Sequence, residues 1–222
     1  MFAMILAAGR GERMRPLTDK LPKPLLAVNN KPLIEYHLEK LQRTSIKNIA
    51  INHAWLGHLI PQTLGNGDRW ELNINYSDEG DNALETAGGI NKVLATKDDD
   101  YIVVINGDIW TDFDFSSLPT SLPLGVMAHL ILVNNPEQHP EGDFALGNQW
   151  LQNDGKEKFT FSGIAVYHRQ FFESITDKIS ALGPVIRQHI DSQQVTGELY
   201  QGQWFDIGTP QRLNALNEML SN

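Results

Sequence analysis

The sequence predicts an α/β fold in which a mixed, mainly parallel central sheet is flanked by helices. In residues 2–105, short apolar runs alternate with helical patterns, as crossover connections between parallel strands require. A glycine-rich loop follows the first apolar run. From Gly125 onward, tight turns separate several strand-like segments, which is typical of antiparallel pairing. The sheet is therefore expected to be parallel early in the chain and more antiparallel later.

The first elements follow a strand–helix–strand order. Phe2–Leu6 is a short apolar run, and Pro32 suits the first turn of a helix over residues 32–43. Ile46–Asn52 follows as a strand. A helix over residues 55–64 contains Pro61, which either kinks the helix or moves its start. Leu72–Tyr76 alternates apolar and polar residues like a half-buried strand.

The next helix opens at Glu85 and contains two adjacent glycines, Gly88 and Gly89. Each glycine costs about 1 kcal/mol relative to alanine in a helix. Either close approach of the backbone to a ligand or tight packing of the helix against a strand would offset that cost. Tyr101–Ile105 is continuous and β-branched, which predicts a buried strand.

The second half of the chain predicts a set of shorter elements. Thr209 and Pro210 suit the N-cap and first position of a closing helix. The other expected elements are strands over residues 126–133, 143–146, 149–151, 159–168 and 195–200 and a helix over residues 184–190.

Composition excludes several classes of protein. The chain has 222 residues, enough for one large domain, and no cysteine, so disulfides and thiolate metal sites are excluded. Its formal net charge of −9 argues against nonspecific nucleic-acid binding. No apolar stretch approaches the roughly 18 residues of a membrane span, and the first apolar run is too short for a signal peptide. We expect a cytoplasmic protein without membrane or nucleic-acid partners; the oligomeric state is left open.

The glycine-rich loop has a local excess of positive charge. Five basic residues stand against two acids between Arg10 and Lys23. Glycines let a backbone approach a ligand, and successive free N–H groups form an anion-binding concavity. A phosphate-rich ligand explains this pattern, although a plain turn with solvated charges is the alternative. Met14 replaces the third glycine of the dinucleotide fingerprint, and no Gly-Lys-Ser/Thr triplet closes a P-loop.

Residues Leu6–Thr18 with Pro22–Pro24 resemble the signature of the sugar-1-phosphate nucleotidyltransferases, Leu-Ala-Ala-Gly-x-Gly-x-Arg-Met-x-Pro-Leu-Thr followed by Pro-Lys-Pro. The resemblance implies a Rossmann-like sheet of the nucleotide-diphospho-sugar transferase type. It also implies one domain over residues 1–222, with about 1–115 binding the nucleotide and about 116–222 the sugar. Arg13 and Lys23 would hold the triphosphate, and both, with Asp108, would be catalytic. The nucleotide-binding residues implied are Leu6, Ala7, Ala8, Gly9, Gly11, Glu12, Arg13, Lys23 and Gly88.

Two aspartates are implied as ligands of Mg²⁺. Asp108 follows the strand Tyr101–Ile105, where an open α/β sheet places its ligands. The alternative is a hairpin, because Asn106-Gly107 between apolar runs is a strong hairpin signal. Asp206 precedes the cap of the closing helix, so capping does not explain an aspartate there. The alternative to a metal ligand is an acidic residue in a solvated loop. Carboxylates suit Mg²⁺, a hard cation.

The resemblance also indicates the substrates. Four segments, Asn52–Gly57, Tyr76–Gly80, Asn106–Asp112 and Phe159–Gly163, are most similar to uridylyltransferases that act on N-acetylmuramate alpha-1-phosphate in peptidoglycan recycling. This implies UTP and a sugar 1-phosphate as substrates, and UDP-sugar and pyrophosphate as products. The substrate-binding residues implied are Asn106, Asp143, Gly163 and Asp206.

The chain departs from the family pattern at one motif, and two alternative functions stay open. Larger relatives carry a Glu-Lys-Pro triplet whose lysine binds the sugar phosphate; this chain lacks it, and Lys156 or Lys158 is the candidate substitute. The alternatives are a mannose- or glucose-1-phosphate nucleotidyltransferase, and a non-catalytic regulatory homologue that binds a nucleotide sugar. Such homologues usually lose the metal carboxylates or the loop arginine, all of which are present here.

Overall fold

The computed structural model describes residues 1–80 and 84–221. No helix in these ranges is both long enough and apolar enough to cross a bilayer. The described residues form five α-helices: α1 (Leu33–Gln42), α2 (Leu59–Leu64), α3 (Glu85–Leu94), α4 (Leu182–Asp191) and α5 (Pro210–Ser221). They form thirteen strands: β1 (Phe2–Leu6), β2 (Ala27–Val28), β3 (Lys31–Pro32), β4 (Asn48–His53), β5 (Asn73–Asp78), β6 (Tyr101–Asn106), β7 (Ile109–Thr111), β8 (Ala128–Val133), β9 (Ala145–Gly147), β10 (Trp150–Gln152), β11 (Thr160–His168), β12 (Val195–Tyr200) and β13 (Trp204–Asp206).

The chain divides into two compact units that are interleaved along the sequence. The first unit contains the described residues of 2–80, 106–117 and 203–221. The second unit contains Met1 and residues 84–105 and 118–202. The expected division into a nucleotide half up to about residue 115 and a sugar half after it stays a prediction.

The first unit is built on three parallel strands in the order β5-β4-β1. The registers Ile5↔Ile51 and Ile51↔Tyr76 align the three strands so that their carboxyl ends lie along one edge. Residues 2–5 of β1 are completely buried, as expected of a strand in a parallel sheet covered on both faces. The segments that follow β1, β4 and β5 are therefore brought together at this edge.

A second, small sheet completes the first unit and excludes the hairpin alternative. β7 pairs antiparallel with β13, with Asp206 opposite Ile109, instead of folding back on β6. Thr209 caps α5 through its hydroxyl, which accepts from the Arg212 N–H at 3.4 Å, as the sequence predicts. The unit's apolar cluster consists of Met14, Leu26, Val28, Leu33, Trp110, Ile207, Leu213 and Leu216.

The first two helices begin later than the sequence patterns indicate. α1 begins at Leu33, one residue after Pro32, which pairs in the two-residue strand β3. α2 begins at Leu59, so Pro61 lies in its first turn, where a missing N–H leaves no hydrogen bond unmade. Pro61 therefore moves the start of the helix, one of its two predicted effects.

The second unit carries the more antiparallel sheet that the sequence predicts. Its strand order is β6-β11-β8-β12-β10-β9, and every pair is antiparallel except β8–β12. The register of β11 against β8 shifts between Phe161 and Ile164, which marks a β-bulge. Gly163 lies in this bulge with φ +82°, a conformation that favours glycine. The mixed α/β sheet flanked by helices is confirmed.

Candidate active site

The glycine-rich loop leaves the carboxyl end of β1 and is anchored by its own residues. Met14 is completely buried in the apolar cluster, and the Thr18 hydroxyl donates to the Gly11 carbonyl at 2.8 Å. Arg13, next to the buried methionine, is exposed and has no ion-pair partner among the described residues. The anchor therefore leaves the Arg13 guanidinium available to an anion.

The two positions of the loop are occupied by glycine for different structural reasons. Gly11 has φ +63°, and a Cβ there would lie 2.9 Å from Thr18 Cγ2 and 3.3 Å from Lys23 Cβ. A Cβ at Gly9 would meet nothing within 4 Å. Gly11 is thus required by the fold itself. Gly9 leaves open space beside an exposed backbone, as a ligand-binding loop needs.

A buried asparagine on β4 connects the loop to β5. The Asn52 side chain accepts from the Ala7 N–H at 2.9 Å and donates to Glu79 Oε1 at 2.7 Å. Asn52 is 3% exposed, and Glu79 is buried as well. These contacts hold the first residue after β1 in a defined position.

The Asn106–Asp108 turn lies against the end of β1. The Gly107 N–H donates to the Leu6 carbonyl at 2.9 Å, and a Cβ on Gly107 would lie 2.5 Å from that oxygen. Only glycine fits this close approach. The contact places Asp108 beside the glycine-rich loop, as the sequence predicts; Asn106 is half-buried at the end of β6.

The structure joins two of the predicted catalytic residues in an ion pair. Lys23 Nζ donates to Asp108 Oδ2 at 2.6 Å. The lysine side chain is only 10% exposed, whereas the aspartate side chain is 43% exposed. The carboxylate therefore reaches solvent while it stabilises a nearly buried ammonium, whose charge would otherwise be unpaired.

Asp206 ends β13 next to the same turn. The Ile207 N–H donates to the Asp108 carbonyl at 2.8 Å, so the backbones of the two aspartates are adjacent. Arg212 of α5 donates to both oxygens of Asp206. A Cβ at Gly208 would lie 2.8 Å from the arginine Nη1, so glycine makes room for this pair.

A buried histidine and a half-buried lysine lie on α1 in the same unit. Burial, and secondly the nearby Lys40 cation, lower the pKa of His37 to about 4, although the Ile109 backbone and the Asp108 carboxylate oppose this. Burial also lowers the pKa of Lys40. His37 is therefore neutral at pH 7 and adds no positive charge to the site.

The two aspartates fit a Mg²⁺ ion that is also held by its substrate. No group of three or more acidic or histidine side chains suited to a metal occurs among residues 1–80 and 84–221. Mg²⁺ commonly binds one or two carboxylates and takes its remaining ligands from substrate phosphates and water. Asp108 and Asp206 supply hard oxygen donors on adjacent backbones, so the residues present fit the ion.

Three of the other predicted site residues lie in the second unit, where contacts within that unit explain their conformation or packing. A Cβ at Gly88 would lie 2.4 Å from the Lys178 carbonyl, so close packing of α3 explains this glycine. Its role in nucleotide binding stays a prediction, as does that of Gly163, whose bulge explains its conformation. Asp143 accepts from the Phe161 N–H at 2.8 Å, and its other oxygen lies 3.1 Å from His139 Nε2. This carboxylate is held in place and 31% exposed.

The two candidate lysines line a cavity of about 380 Å³ in the second unit. Lys158 is the less exposed of the two, and its Nζ lies 3.8 Å from Asp154 Oδ1. Asn135 donates to the Pro140 and Lys158 carbonyls at 3.0 and 2.8 Å, which ties the two loops that border the cavity. The cavity adjoins Gly142, the residue before Asp143.

The sequence reasoning missed the residues that hold these side chains. Arg212 is the third residue of α5 and lies six positions after Asp206, a spacing that is not a recognised motif. Asn52 belongs to a segment that stands out only for its similarity to relatives, and Thr18 stands out only as part of the signature. The Asn52 contacts join segments far apart in sequence, and those of Arg212 and Thr18 have spacings of six and seven residues that match no recognised local motif.

Comparison with known proteins identifies the family. The family model described as "Nucleotidyl transferase" matches residues 2–121, which include the glycine-rich loop, Lys23 and Asp108. The chain belongs to the nucleotidyl transferase family. The family resemblance seen in the sequence is thereby confirmed.

Relatives within the family match nearly the whole chain. An N-acetylmuramate alpha-1-phosphate uridylyltransferase of Neisseria meningitidis serogroup B is 46% identical over 96% of this chain and 95% of its own. An enzyme of the same name from Caulobacter vibrioides is 29% identical over 95% of this chain and 93% of its own. A crystal structure of a putative glucose-1-phosphate thymidylyltransferase from Bacillus anthracis has a TM-score of 0.83 over 99% of this chain and 94% of its own, at 22% identity. That likeness shows the fold.

Proposed function

We propose that this protein transfers a uridylyl group from UTP to N-acetylmuramate alpha-1-phosphate, forming the UDP-sugar and pyrophosphate. The observation that carries the proposal is the 46% identity, along nearly the full length of both chains, to the Neisseria meningitidis enzyme of that name. The exposed arginine, the lysine and the two carboxylates around the glycine-rich loop support it. We further propose that the enzyme works in the cytoplasm, in the recycling of cell-wall sugars.

The first unit would bind the triphosphate. Arg13 is exposed on a loop anchored by the buried Met14, so its guanidinium can neutralise the phosphates that leave. Lys23 would hold the α-phosphate. Residues 8 to 12 of the loop would offer backbone N–H groups to the remaining phosphate oxygens, since the Ala7 N–H is donated to Asn52. Preorganised donors of this kind stabilise developing charge without reorganising during the reaction.

Asp108 and Asp206 would hold Mg²⁺, which neutralises phosphate charge and helps to orient the two substrates when it is bound. Within the chain itself, the ion pair with Lys23 holds the Asp108 carboxylate in place. Arg212 does the same for Asp206.

The chemistry needs no protein nucleophile. A phosphate oxygen of the sugar phosphate attacks the α-phosphorus of UTP, one P–O bond forms, and the bond to the β-phosphate oxygen breaks to release pyrophosphate. The chain contributes by positioning two anions that repel each other. Ser162 agrees with this, because its hydroxyl is buried and donates to the Ile131 carbonyl at 2.6 Å.

The second unit would bind the sugar. Asp143, held by the Phe161 N–H, would accept a hydrogen bond from a sugar hydroxyl. Gly163 of the same unit would also contact the sugar. Asn106, which belongs to the first unit, is proposed to bind substrate as well. Lys156 or Lys158 would take the role of the missing Glu-Lys-Pro lysine toward the sugar phosphate.

Glucose 1-phosphate is the second candidate sugar. A UTP–glucose-1-phosphate uridylyltransferase of Synechocystis is 36% identical over 62% of this chain and 38% of its own. This relative shares the proposed nucleotide but not the proposed sugar. Because this relative matches a shorter part of the chain, we place glucose 1-phosphate after N-acetylmuramate alpha-1-phosphate as a candidate substrate.

Pyrophosphate release tests the proposal. We would measure kcat/KM with UTP and each of three sugar phosphates, those of N-acetylmuramate, N-acetylglucosamine and glucose, and then compare UTP with GTP and dTTP. Sites that hydrogen-bond a substrate group reject analogues lacking it by up to about 10⁴–10⁵. A clear preference for glucose 1-phosphate or GTP would overturn the assigned substrates. No pyrophosphate release with any pair would overturn the enzymatic function.

A further inference from the structure

The end of β4 and the segment that follows it contact the glycine-rich loop at its two ends. At the start of the loop, the buried Asn52 side chain accepts from the Ala7 N–H and donates to Glu79, at 2.9 and 2.7 Å. Since Asn52 is 3% exposed, its amide is oriented by these two partners and not by solvent. The asparagine thereby ties the loop to the end of β5.

At the far end of the loop, Trp55 makes the corresponding contact. Its indole N–H donates to the Thr18 carbonyl at 2.9 Å, and the Thr18 hydroxyl donates to Gly11 at 2.8 Å. The Arg10 guanidinium carbon lies 6.0 Å from the centre of the indole ring, at the outer limit of a cation–π contact. One tryptophan therefore contacts the middle and the end of the loop.

The backbone of this segment is shaped to present the tryptophan. The Gly57 N–H donates to the Ala54 carbonyl at 2.9 Å, which closes a turn with Trp55 and Leu56 at its centre. Leu56 has φ +51°, which is uncommon for a residue with a side chain. Such a conformation persists only where its surroundings require it, and it occurs often at functional sites.

We propose that Asn52 and Trp55 are positioning residues, which hold the glycine-rich loop in its triphosphate-binding shape before the substrate arrives. The inference rests on the proposed function, because it takes UTP as the ligand of the loop. A loop already ordered loses less conformational entropy on binding, so removing either contact weakens UTP binding. The sugar phosphate, whose sugar we propose to be bound by the second unit, is affected little.

Trp55→Phe is the sharpest variant, because it keeps an aromatic ring at this position and removes the N–H donor. A hydrogen bond of ordinary strength corresponds to about a two- to tenfold change in affinity. We expect the dissociation constant and KM for UTP to rise by about two- to tenfold, with KM for the sugar phosphate unchanged. Trp150→Phe, at a tryptophan that is likewise exposed, 41% against 37%, is the matched control.

Asn52→Asp adds a readout that a purely structural role would not produce. It keeps an acceptor for the Ala7 N–H but places a carboxylate against Glu79. Two adjacent carboxylates share a proton, which raises the pKa of one of them. We expect the UTP affinity of this variant to fall as pH rises, and the wild type to lack this pH dependence. Asn48→Asp, at the exposed start of the same strand, is the control and should lack it too.

The measurements are UTP binding by calorimetry, steady-state kinetics and the melting temperature. Lower melting temperatures with unchanged UTP affinity in both variants would overturn the proposal, as would unchanged values throughout. If the wild type binds UTP but releases no pyrophosphate, the enzymatic proposal fails and the binding measurements still decide this one. If the wild type binds no UTP, both proposals fail.

Discussion

The ion pair between Lys23 and Asp108 makes Asp108→Asn a test that separates catalysis from stability. The amide still accepts from the lysine ammonium but carries no charge. Hydrogen bonds to charged partners contribute about 1.5–3 kcal/mol, against roughly 1 kcal/mol for neutral ones. Because the Asp108 side chain is 43% exposed, solvent screening limits the loss of stability to about 1 kcal/mol. For a domain of this size that corresponds to a fall of about 2–4 °C in melting temperature.

The expected effect on turnover is much larger. Replacing a proposed Mg²⁺ ligand by a neutral amide should lower kcat at least about 100-fold, equivalent to about 2.7 kcal/mol. The assay is pyrophosphate release at saturating UTP and sugar phosphate, with the wild type also measured after chelation and after Mg²⁺ is restored. Turnover should vanish with the chelator and return with the metal.

Glu39→Gln is the matched control, because Glu39 accepts from Lys31 at the same 2.6 Å and its side chain is 39% exposed. It should lower the melting temperature by a similar few degrees and leave turnover unchanged. Retention of more than about a tenth of wild-type turnover by Asp108→Asn would refute its role as a metal ligand. Loss of turnover in the Glu39→Gln variant would show that the assay reports stability and not chemistry.

Three further changes test other parts of the first unit. Arg13→Ala should lower kcat/KM by about 10²–10³, the usual loss for a charge-stabilising donor, whereas Lys20→Ala should change it little; equal effects would show that the loop is misread. Gly11→Ala, with φ +63° and a Cβ 2.9 Å from Thr18, should lower the free energy of unfolding by at least about 1 kcal/mol in urea titrations, and an unchanged midpoint would contradict this. The pKa of His37, lowered to about 4 from 6.5, means that the unfolded chain binds more protons between these values, so stability falls as pH falls through that window. From pH 7 to 4.5 the wild type should lose about 2–3 kcal/mol more than His37→Phe, and parallel curves would be evidence against a buried neutral histidine.

The sequence by itself determined the elements that local chemistry controls. Phe2–Leu6 is a buried strand because five consecutive residues are apolar, and Thr209-Pro210 starts α5 because a capping hydroxyl precedes a residue with no N–H. The glycine-rich loop was recognisable from its glycines, its basic residues and the family signature, and Gly11 takes a left-handed conformation that favours glycine. Each of these depends on interactions between residues near in sequence.

The position of the candidate site could be predicted from the sequence, but the strand pairing around it could not. Asp108 was expected at a strand end beside the glycine-rich loop, and the Gly107 contact with Leu6 places it there. The hairpin alternative stayed open because Asn106-Gly107 has the same local pattern in both folds. Only the pairing of β7 with β13, about 95 residues later in the chain, excluded it.

Tertiary structure alone decided which side chains meet. Lys23 and Asp108 are 85 residues apart, and Asn52 lies 45 residues from Ala7, yet each pair is in hydrogen-bond contact. The parallel order β5-β4-β1 brings the ends of three separate strands to one edge, so residues with no local relation become neighbours there. Hydrogen bonds and ion pairs form between groups that are close in space, and sequence spacing specifies that closeness only within a turn or an element.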